Sequence, residues 1–270
     1  MNCLNFLARA ACALALALTL LPTATATTKP VRVDIGERPK FMLWVGHSYF
    51  FWNNNIYNHF GQLTASLERT APIAGTAATI GGAGLDWHDM AALLKPGRIG
   101  RYTLVGDNEL RFNPPERTFD TVIMMDCSQC PIHPQLQSVF HETVASYSGL
   151  VKASGKRPVL FMTWAYKDKP EMTAPVAEQY TLAGNAHDAL VIPAGLAFAN
   201  AMGRRPDVEL YFRDKRHPSI AGTYLAACTS YASLTGKSPV GASYTAGLPE
   251  DVALFLQTVA WETVRAYQGR

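Results

Sequence analysis

Short apolar segments alternate with segments of helical periodicity along most of the chain, and this alternation is the feature that most constrains the fold. Alternation of this kind predicts a parallel sheet with helices on both faces. The segments that predict strands are 40–45, 74–80, 118–125, 159–163 and 190–193. The segments that predict helices are 58–69, 85–94, 135–153, 174–189, 196–202, 220–234 and 250–267. Residues 101–112, with Gly106-Asp107-Asn108 inside, predict an inserted hairpin.

The first 26 residues have the organisation of a secretory signal peptide. Arg9 is their only charged residue, an apolar run covers 12–21, and Ala24-Thr25-Ala26 fits a cleavage site between small residues. We therefore expect an exported protein, periplasmic or secreted, whose residues 27–270 form a single α/β domain. No later stretch is apolar for long enough to predict a membrane span.

Composition argues for a well-buried core and against a nucleic-acid partner. The chain is 48% hydrophobic and 17% charged, and its formal net charge of +3 is small. Cys228 lies in an apolar helical pattern that is typical of a core residue. Cys127 and Cys130 predict either a short disulfide or free thiols. A redox Cys-x-x-Cys motif is disfavoured, because Pro131 and Pro134 interrupt the helix that such a motif normally opens.

Two distant stretches carry the residues of a serine nucleophile. The apolar run 43–45 ends at Gly46, which would place Ser48 at the carboxyl edge of the sheet, where open α/β folds bind ligands. Asp214 and His217 are three residues apart, so one turn can bring both side chains to the same side. A carboxylate, an imidazole and a hydroxyl are the groups that activate a serine. The alternative is that Ser48 is a turn residue and His217 begins a helix.

These stretches resemble the SGNH (GDSL-type) hydrolases, serine esterases and lipases with a flavodoxin-like, three-layer, doubly wound parallel sheet. Gly46-His47-Ser48 is similar to the block that carries the family's nucleophile. Residues 214–218 match its Asp-x-x-His block, and 219–228 resemble one bacterial branch. Gly81-Gly82-Ala83-Gly84-Leu85 fits the second block, whose glycine donates an N–H to the oxyanion. The family requires no cofactor.

The resemblance implies a role for each of these residues. Ser48 would be the nucleophile, His217 the base and Asp214 its orienting carboxylate. The backbone N–H groups of Ser48 and Gly82 would bind the oxyanion. Mechanistically, such an enzyme forms and hydrolyses an acyl-enzyme on Ser48.

The chain departs from the family pattern at two places. His47 replaces the usual Asp or Asn before the nucleophile, and we interpret it as a replacement for that residue's hydrogen bonds, although it could compete with His217 as a base. The third block normally offers Gly-x-Asn, whose amide completes the oxyanion hole, but this chain has 126–131 (DCSQCP) there. Gln129 is the predicted substitute donor and Ser128 the fallback. A missing donor costs about 10²–10³ in rate.

Further side chains are candidates for a binding site. Four aromatic residues near the predicted carboxyl ends of strands predict a sugar- or acyl-binding cleft, or are core: Trp52, Trp87, Trp164 and Tyr166. Asp86, His88 and Asp89 could be metal ligands, but no second cluster is spaced to complete a site, so we expect polar residues at a helix start and no metal.

The sequence therefore predicts an exported serine esterase that acts on a small-molecule or carbohydrate ester. Removal of O-acetyl groups from carbohydrate is the suggested reaction, by analogy with the family and from the aromatic residues. The alternative is a non-catalytic carbohydrate-binding or scaffold protein that kept the fold while its third block degenerated.

Overall fold

The computed structural model describes residues 27–68, 73–104, 110–114 and 116–270. The predicted signal peptide, residues 1–26, and Gly106-Asp107-Asn108 of the predicted hairpin lie outside these ranges. Within them, no helix combines the length and the apolar character that crossing a bilayer requires.

A five-stranded parallel sheet forms the centre of the molecule. Its strands are β1 (Phe41–Gly46), β2 (Ala74–Thr79), β5 (Thr121–Met124), β6 (Arg157–Phe161) and β7 (Leu190–Ile192). A separate antiparallel hairpin consists of β3 (Tyr102–Leu104) and β4 (Leu110–Phe112). The order β2-β1-β5-β6-β7 is the flavodoxin-like order. Strand β2 is added on one side of β1 and the later strands on the other side, so the strand order reverses between β1 and β5. The predicted α/β class and the hairpin insertion are confirmed.

Helices cover both faces of the sheet, as the predicted three-layer arrangement requires. They are α1 (Ser48–Phe51), α2 (Ile56–Leu67), α3 (Met90–Leu93), α4 (Gln137–Ala153), α5 (Thr173–Ala186), α6 (Ala194–Arg204), α7 (Ile220–Thr235) and α8 (Glu250–Tyr267). Along β1, Met42 and Trp44 pack with α2, α6, α7 and α8. Leu43 and Val45 point to the opposite face and pack with α4 and α5. This alternation is the period of two that an extended strand imposes.

The helix predicted over 85–94 is wrong as a single element. A 3₁₀ turn spans Leu85–Trp87, and α3 then begins at Met90. Asp89 separates the two, since its carboxylate accepts the N–H of Ala92 at 2.9 Å and so caps a new helix. An apolar pattern of helical period does not reveal such an internal cap.

The parallel sheet places several loops at one edge. Because β1, β2, β5 and β6 all run in the same direction, the segments that follow them emerge together at their carboxyl ends. These segments contain Ser48, Gly82, Ser128 and Tyr166, respectively. The loop before α7 carries His217 and forms a hydrogen bond between the backbones of Lys167 and Lys215, which joins it to the segment after β6.

Candidate active site

Ser48 lies at a tight turn between β1 and α1. His47 is the N-cap of α1 and Ser48 its first residue. The turn is tightly packed at Gly46, because a Cβ there would lie 3.1 Å from the side chains of both Met125 and Phe50, which would have to shift. Ser48 is partly buried and lies at the carboxyl edge of the sheet, as predicted.

Asp214 organises the loop that carries His217. Its Oδ1 accepts the backbone N–H groups of Arg216 at 3.0 Å and of His217 at 2.9 Å. Its Oδ2 lies 2.5 Å from Nδ1 of His217. Although desolvation acts in the opposite direction, these hydrogen bonds lower the pKa of Asp214 below its usual value. The carboxylate is therefore ionised and holds the imidazole through Nδ1.

The hydroxyl and the imidazole meet across 169 residues of sequence. Ser48 Oγ lies 2.8 Å from Nε2 of His217. The side chains of His217 and Asp214 are 24% and 37% exposed, so the arrangement is open to solvent. With Nδ1–H donated to Asp214, Nε2 is free to accept the proton of the serine hydroxyl. The structure thus brings together the three residues for which a triad was predicted.

Aromatic rings fix the position of the imidazole. Trp52 stacks on His217 with ring centres 4.1 Å apart and an angle of 22° between the planes. Tyr49 contacts the same imidazole edge-on, at 5.5 Å and 78°. Trp52, predicted to bind substrate, is therefore in the site and is only partly exposed. One of its contacts is with the candidate base itself.

Asn53 joins the segment after Ser48 to the loop of His217, and the sequence reasoning missed it. Its Nδ2 donates to the carbonyl of Pro218 at 2.9 Å and to Oγ1 of Thr223 at 2.8 Å. Its φ of 50° is left-handed, which asparagine tolerates better than most residues. The run of three asparagines, Asn53-Asn54-Asn55, was the sequence signal that could have revealed it, and all three have a positive φ in the structure.

His47 is a neutral residue of the turn. Burial lowers its pKa to about 4. Its Nε2 lies 3.1 Å from the carbonyl oxygen of Asp126 and donates to it, while Nδ1 accepts the N–H of Tyr49 at 3.5 Å. Both ring nitrogens are therefore used. This agrees with the interpretation that His47 replaces hydrogen bonds, and it leaves no nitrogen free to act as a second base.

Asp126, at the end of β5, connects three loops of the site. Its Oδ1 accepts the N–H groups of Leu85 at 2.8 Å and of Cys127 at 2.6 Å. Its carbonyl accepts the hydrogen bond from His47 described above. Burial raises the pKa of this carboxyl. An acid directly after an almost wholly apolar strand was a usable signal, but only the structure shows which N–H groups it binds.

The predicted oxyanion donors differ in whether their donor groups already form hydrogen bonds. Gly82 has a φ of 73°, which favours glycine, and its N–H makes no hydrogen bond within the described residues. The N–H of Ser48 is at the first position of α1, where helical N–H groups have no partner in the helix. The Ser128 hydroxyl is engaged with the hydroxyl of Tyr166 at 2.8 Å. The amide of Gln129 makes no side-chain hydrogen bond in the described part of the chain.

A disulfide links Cys127 to Cys130 and encloses Ser128 and Gln129 in a four-residue ring. This decides between the two predicted states of these cysteines. Cys228 is a free thiol, fully buried in α7, as expected of a core residue.

Trp164 does not line a cleft, and its prediction as a substrate-binding residue is wrong. It is 0% exposed and stacks between Tyr49 and Phe198, with ring centres at 4.4 Å and 4.2 Å. Its Nε1 donates to the carbonyl of Arg216 at 2.9 Å. Trp164 is therefore a core residue that supports the loop of the candidate base.

The other two aromatic residues are in different environments. Tyr166 is largely buried and lines a mostly apolar cavity of about 340 Å³. Trp87 is 65% exposed on the 3₁₀ turn that follows the Gly82 loop. Its role in binding stays a prediction.

His88 and Asp89 form hydrogen bonds within the protein. Nε2 of His88 donates to the carbonyl of Gly46 at 3.0 Å, directly behind the Ser48 turn. Asp89 caps α3 as described above. Burial lowers the pKa of His88, which favours the neutral form that this hydrogen bond uses. The role of His88 in supporting the turn was not predicted.

The fold was compared with those of known proteins. No protein-family model and no curated protein sequence matches the chain. A DUF4886 family protein from Bacteroides uniformis has a TM-score of 0.59 and 17% identity, covering 85% of this chain and 96% of its own. A candidate SGNH hydrolase from Slackia heliotrinireducens has a TM-score of 0.53 and 22% identity, with coverages of 72% and 98%. The chain has the SGNH hydrolase fold.

A third structure of the same fold is an esterase, EstA from a Pseudoalteromonas species. Its TM-score is 0.51 at 12% identity, and the match covers 73% of this chain and 97% of that one. All three neighbours are matched over nearly their whole length, and the flavodoxin-like architecture expected from the sequence is confirmed.

Proposed function

We propose that this chain is a serine esterase that hydrolyses carboxylic esters through Ser48, His217 and Asp214. One observation carries the proposal, namely the continuous chain of hydrogen bonds from the Ser48 hydroxyl through the imidazole to the carboxylate. The distances are 2.8 Å and 2.5 Å. The alternative, in which Ser48 only forms a turn and His217 only begins a helix, does not account for these two hydrogen bonds at a solvent-accessible sheet edge.

In the proposed mechanism, Ser48 Oγ attacks the ester carbonyl while Nε2 of His217 accepts its proton. The ionised Asp214 stabilises the imidazolium that forms and keeps Nδ1 protonated. The imidazolium then gives its proton to the leaving alcohol, and an acyl group remains on Ser48. Water hydrolyses the acyl-enzyme by the same steps and restores the serine.

The negative charge that develops on the carbonyl oxygen needs donors that are in place beforehand. We assign this role to the backbone N–H groups of Ser48 and Gly82, which are not consumed by other contacts in the described residues. Gln129 is the proposed third donor. Ser128 is less suited, because its hydroxyl is already bound to Tyr166.

The finer features of the proposal concern substrate and location. The partly exposed Trp52 and the exposed Trp87 offer aromatic surfaces on which a sugar ring can stack, which supports an O-acylated carbohydrate as substrate. The acyl group we propose is small, such as acetyl. Export is proposed on the signal-peptide pattern of residues 1–26.

A fluorophosphonate probe tests the proposal, because it reacts only with a serine that is activated as a nucleophile. We expect stoichiometric labelling of the mature protein, located at Ser48 by mass spectrometry and lost in His217→Ala. The similar esterase EstA was crystallised in a form inhibited by monoethylphosphonate, which is the same chemistry. A folded protein that takes up no label and hydrolyses no 4-nitrophenyl acetate would favour the alternative, a non-catalytic carbohydrate-binding or scaffold protein. The absence of a Gly-x-Asn block is the observation that supports this alternative.

A further inference from the structure

Arg216 places a positive charge beside the candidate active site. Its guanidinium carbon lies 4.8 Å from the centre of the Tyr166 ring. The hydroxyl of Tyr166 is 2.8 Å from Ser128 Oγ, and Ser128 lies in the segment after β5 at the same sheet edge as Ser48. Because Arg216 also directly precedes His217, its guanidinium lies against the loops that surround the nucleophile.

The backbone of Arg216 is held firmly. Its N–H donates to Oδ1 of Asp214 at 3.0 Å. Its carbonyl accepts the indole N–H of Trp164, which is fully buried. The Cα of Arg216 is therefore fixed between a triad residue and the core, and a ligand that binds the guanidinium has less conformational freedom to suppress.

Among the residues that the structure describes, the guanidinium of Arg216 forms no ion pair with a carboxylate. Three carboxylates on neighbouring loops are each taken by another group: Asp168 by Lys215, Glu209 by Lys167 and Asp214 by His217. The charge of Arg216 is thus available to a ligand.

We propose that Arg216 binds a carboxylate of the substrate, so that the protein hydrolyses anionic esters in preference to neutral ones. The planar guanidinium offers two parallel N–H donors that match a carboxylate, and hydrogen bonds between ions are stronger than those between neutral groups. The contact with the Tyr166 ring holds the guanidinium next to the loop of Ser128. This inference deepens the proposed function and rests on Ser48 being the nucleophile.

Matched ester pairs test the inference. For the acyl side, mono-4-nitrophenyl succinate is compared with its methyl ester, and for the alcohol side 4-acetoxybenzoate is compared with its methyl ester. The readout is the ratio of kcat/KM for the charged ester to that for the neutral one. In Arg216→Gln we expect this ratio to fall about 10- to 100-fold for one pair, mainly through KM. The pair that responds tells on which side of the ester the carboxylate lies.

Arg213→Gln is the matched control. It removes the same charge from the same loop, but its guanidinium lies over Phe212 and not over Tyr166. We expect the ratio to stay within twofold in this variant, and Arg216→Lys to restore part of it. The inference is overturned if Arg216→Gln changes neither ratio by more than twofold, or if Arg213→Gln lowers the ratio equally.

A binding measurement separates failure of this inference from failure of the proposed function. Succinate and 4-hydroxybenzoate, the products of the charged esters, are titrated calorimetrically. If no ester is hydrolysed, the proposed function fails. Weaker binding of one product by about tenfold in Arg216→Gln would still support the carboxylate site. Equal binding by the wild type and the variant would refute it.

Discussion

The proposed active site has two sides that are built differently. The proton-transfer side consists of Ser48, His217 and Asp214, whose side chains contact one another directly at 2.8 Å and 2.5 Å. The oxyanion side consists of the backbone N–H of Ser48 together with Gly82, Ser128 and Gln129, and no hydrogen bond joins the last three residues to one another. Its loops are instead held from behind, by the carboxylate of Asp126 and by the Cys127–Cys130 disulfide.

Because of this difference, the two sides should tolerate residue substitutions to different degrees. A direct chain of side chains requires fixed residue types, and the residues of this side match the motifs of the SGNH hydrolases that the sequence resembles. A loop that is held from behind requires only that its donors point to one place, so different residues can serve. Residues 126–131 stand where the SGNH hydrolases that the sequence resembles have Gly-x-Asn, and the carboxylate of Asp126 and the disulfide hold this segment in place.

The variant with the largest expected effect is Ser48→Ala, which tests whether the proton-transfer side carries the reaction. If the proton-transfer side carries the reaction, kcat for 4-nitrophenyl acetate falls by about 10⁴–10⁶ because the nucleophile is absent. The exposed Ser138 of α4, replaced in the same way, serves as the control. Turnover within tenfold of the wild type would remove Ser48 from the mechanism.

Asp214→Asn should have the next largest effect. The amide retains the shape but not the charge that stabilises the imidazolium, and it can favour the wrong tautomer, so we expect kcat to fall by about 10³–10⁴. Asp168→Asn, at a second exposed carboxylate near the same loop, should leave kcat within twofold. Equal losses in both variants would indicate a general electrostatic effect.

Substitution on the oxyanion side should cost less. We expect Gln129→Ala to lower kcat by about 10²–10³ with little change in KM, since an oxyanion donor acts only in the transition state. Ser128→Ala is measured alongside it. If the Ser128 variant shows the larger loss of kcat, Ser128 and not Gln129 is the third oxyanion donor. If neither loses more than fivefold, backbone N–H groups alone bind the oxyanion.

His47 links the two sides, and its titration should appear in the pH dependence of stability. Its folded-state pKa of about 4 lies below the ordinary 6.5, so the unfolded chain binds more protons between these values. Stability should therefore decrease as the pH falls through this window, by about 2 kcal/mol from pH 7 to pH 5 through His47 alone. Urea unfolding at several pH values measures it. His47→Asn, with a residue usual in the family, should reduce the slope; an unchanged slope would show that other groups cause it.

Reduction of the Cys127–Cys130 disulfide should have the smallest effect. Opening the ring frees Ser128 and Gln129 but leaves the hydrogen bond from Cys127 to Asp126, so we expect kcat to fall by about tenfold. A thiol reductant followed by alkylation of both sulfurs gives the reduced form, and the buried Cys228 should not be alkylated. Unchanged kcat would mean that the disulfide does not position the donors.

Much of the fold was predictable from the sequence, because the central strands are covered on both faces and are therefore largely apolar, although β5, Thr121–Met124, is shorter than the apolar run 118–125. All five predicted strands occur in the structure, and α8 has the predicted bounds of 250 and 267. The positions of Ser48, His217 and Asp214 were predictable as well, since their residue types recur at characteristic points of the sheet topology.

The rest depends on distances that a pattern does not contain. Trp164 follows an apolar strand whether its ring points to a cleft or to the core, and only the packing of Tyr49 and Phe198 against it decides. The contact of Asp126 with Leu85 and that of Asn53 with Pro218 join residues 41 and 165 positions apart. Nothing local in the sequence marks such partners.

The environment of α7 has a consequence for the dynamics of the site. Every residue from Ala221 to Leu234 is buried, so the helix has no face in contact with solvent over this span. Its amide hydrogens should exchange with deuterium only when the whole domain opens. His217 precedes this helix by three residues and is therefore anchored to the slowest-exchanging segment. On heating, we expect loss of the proposed esterase activity to coincide with global unfolding.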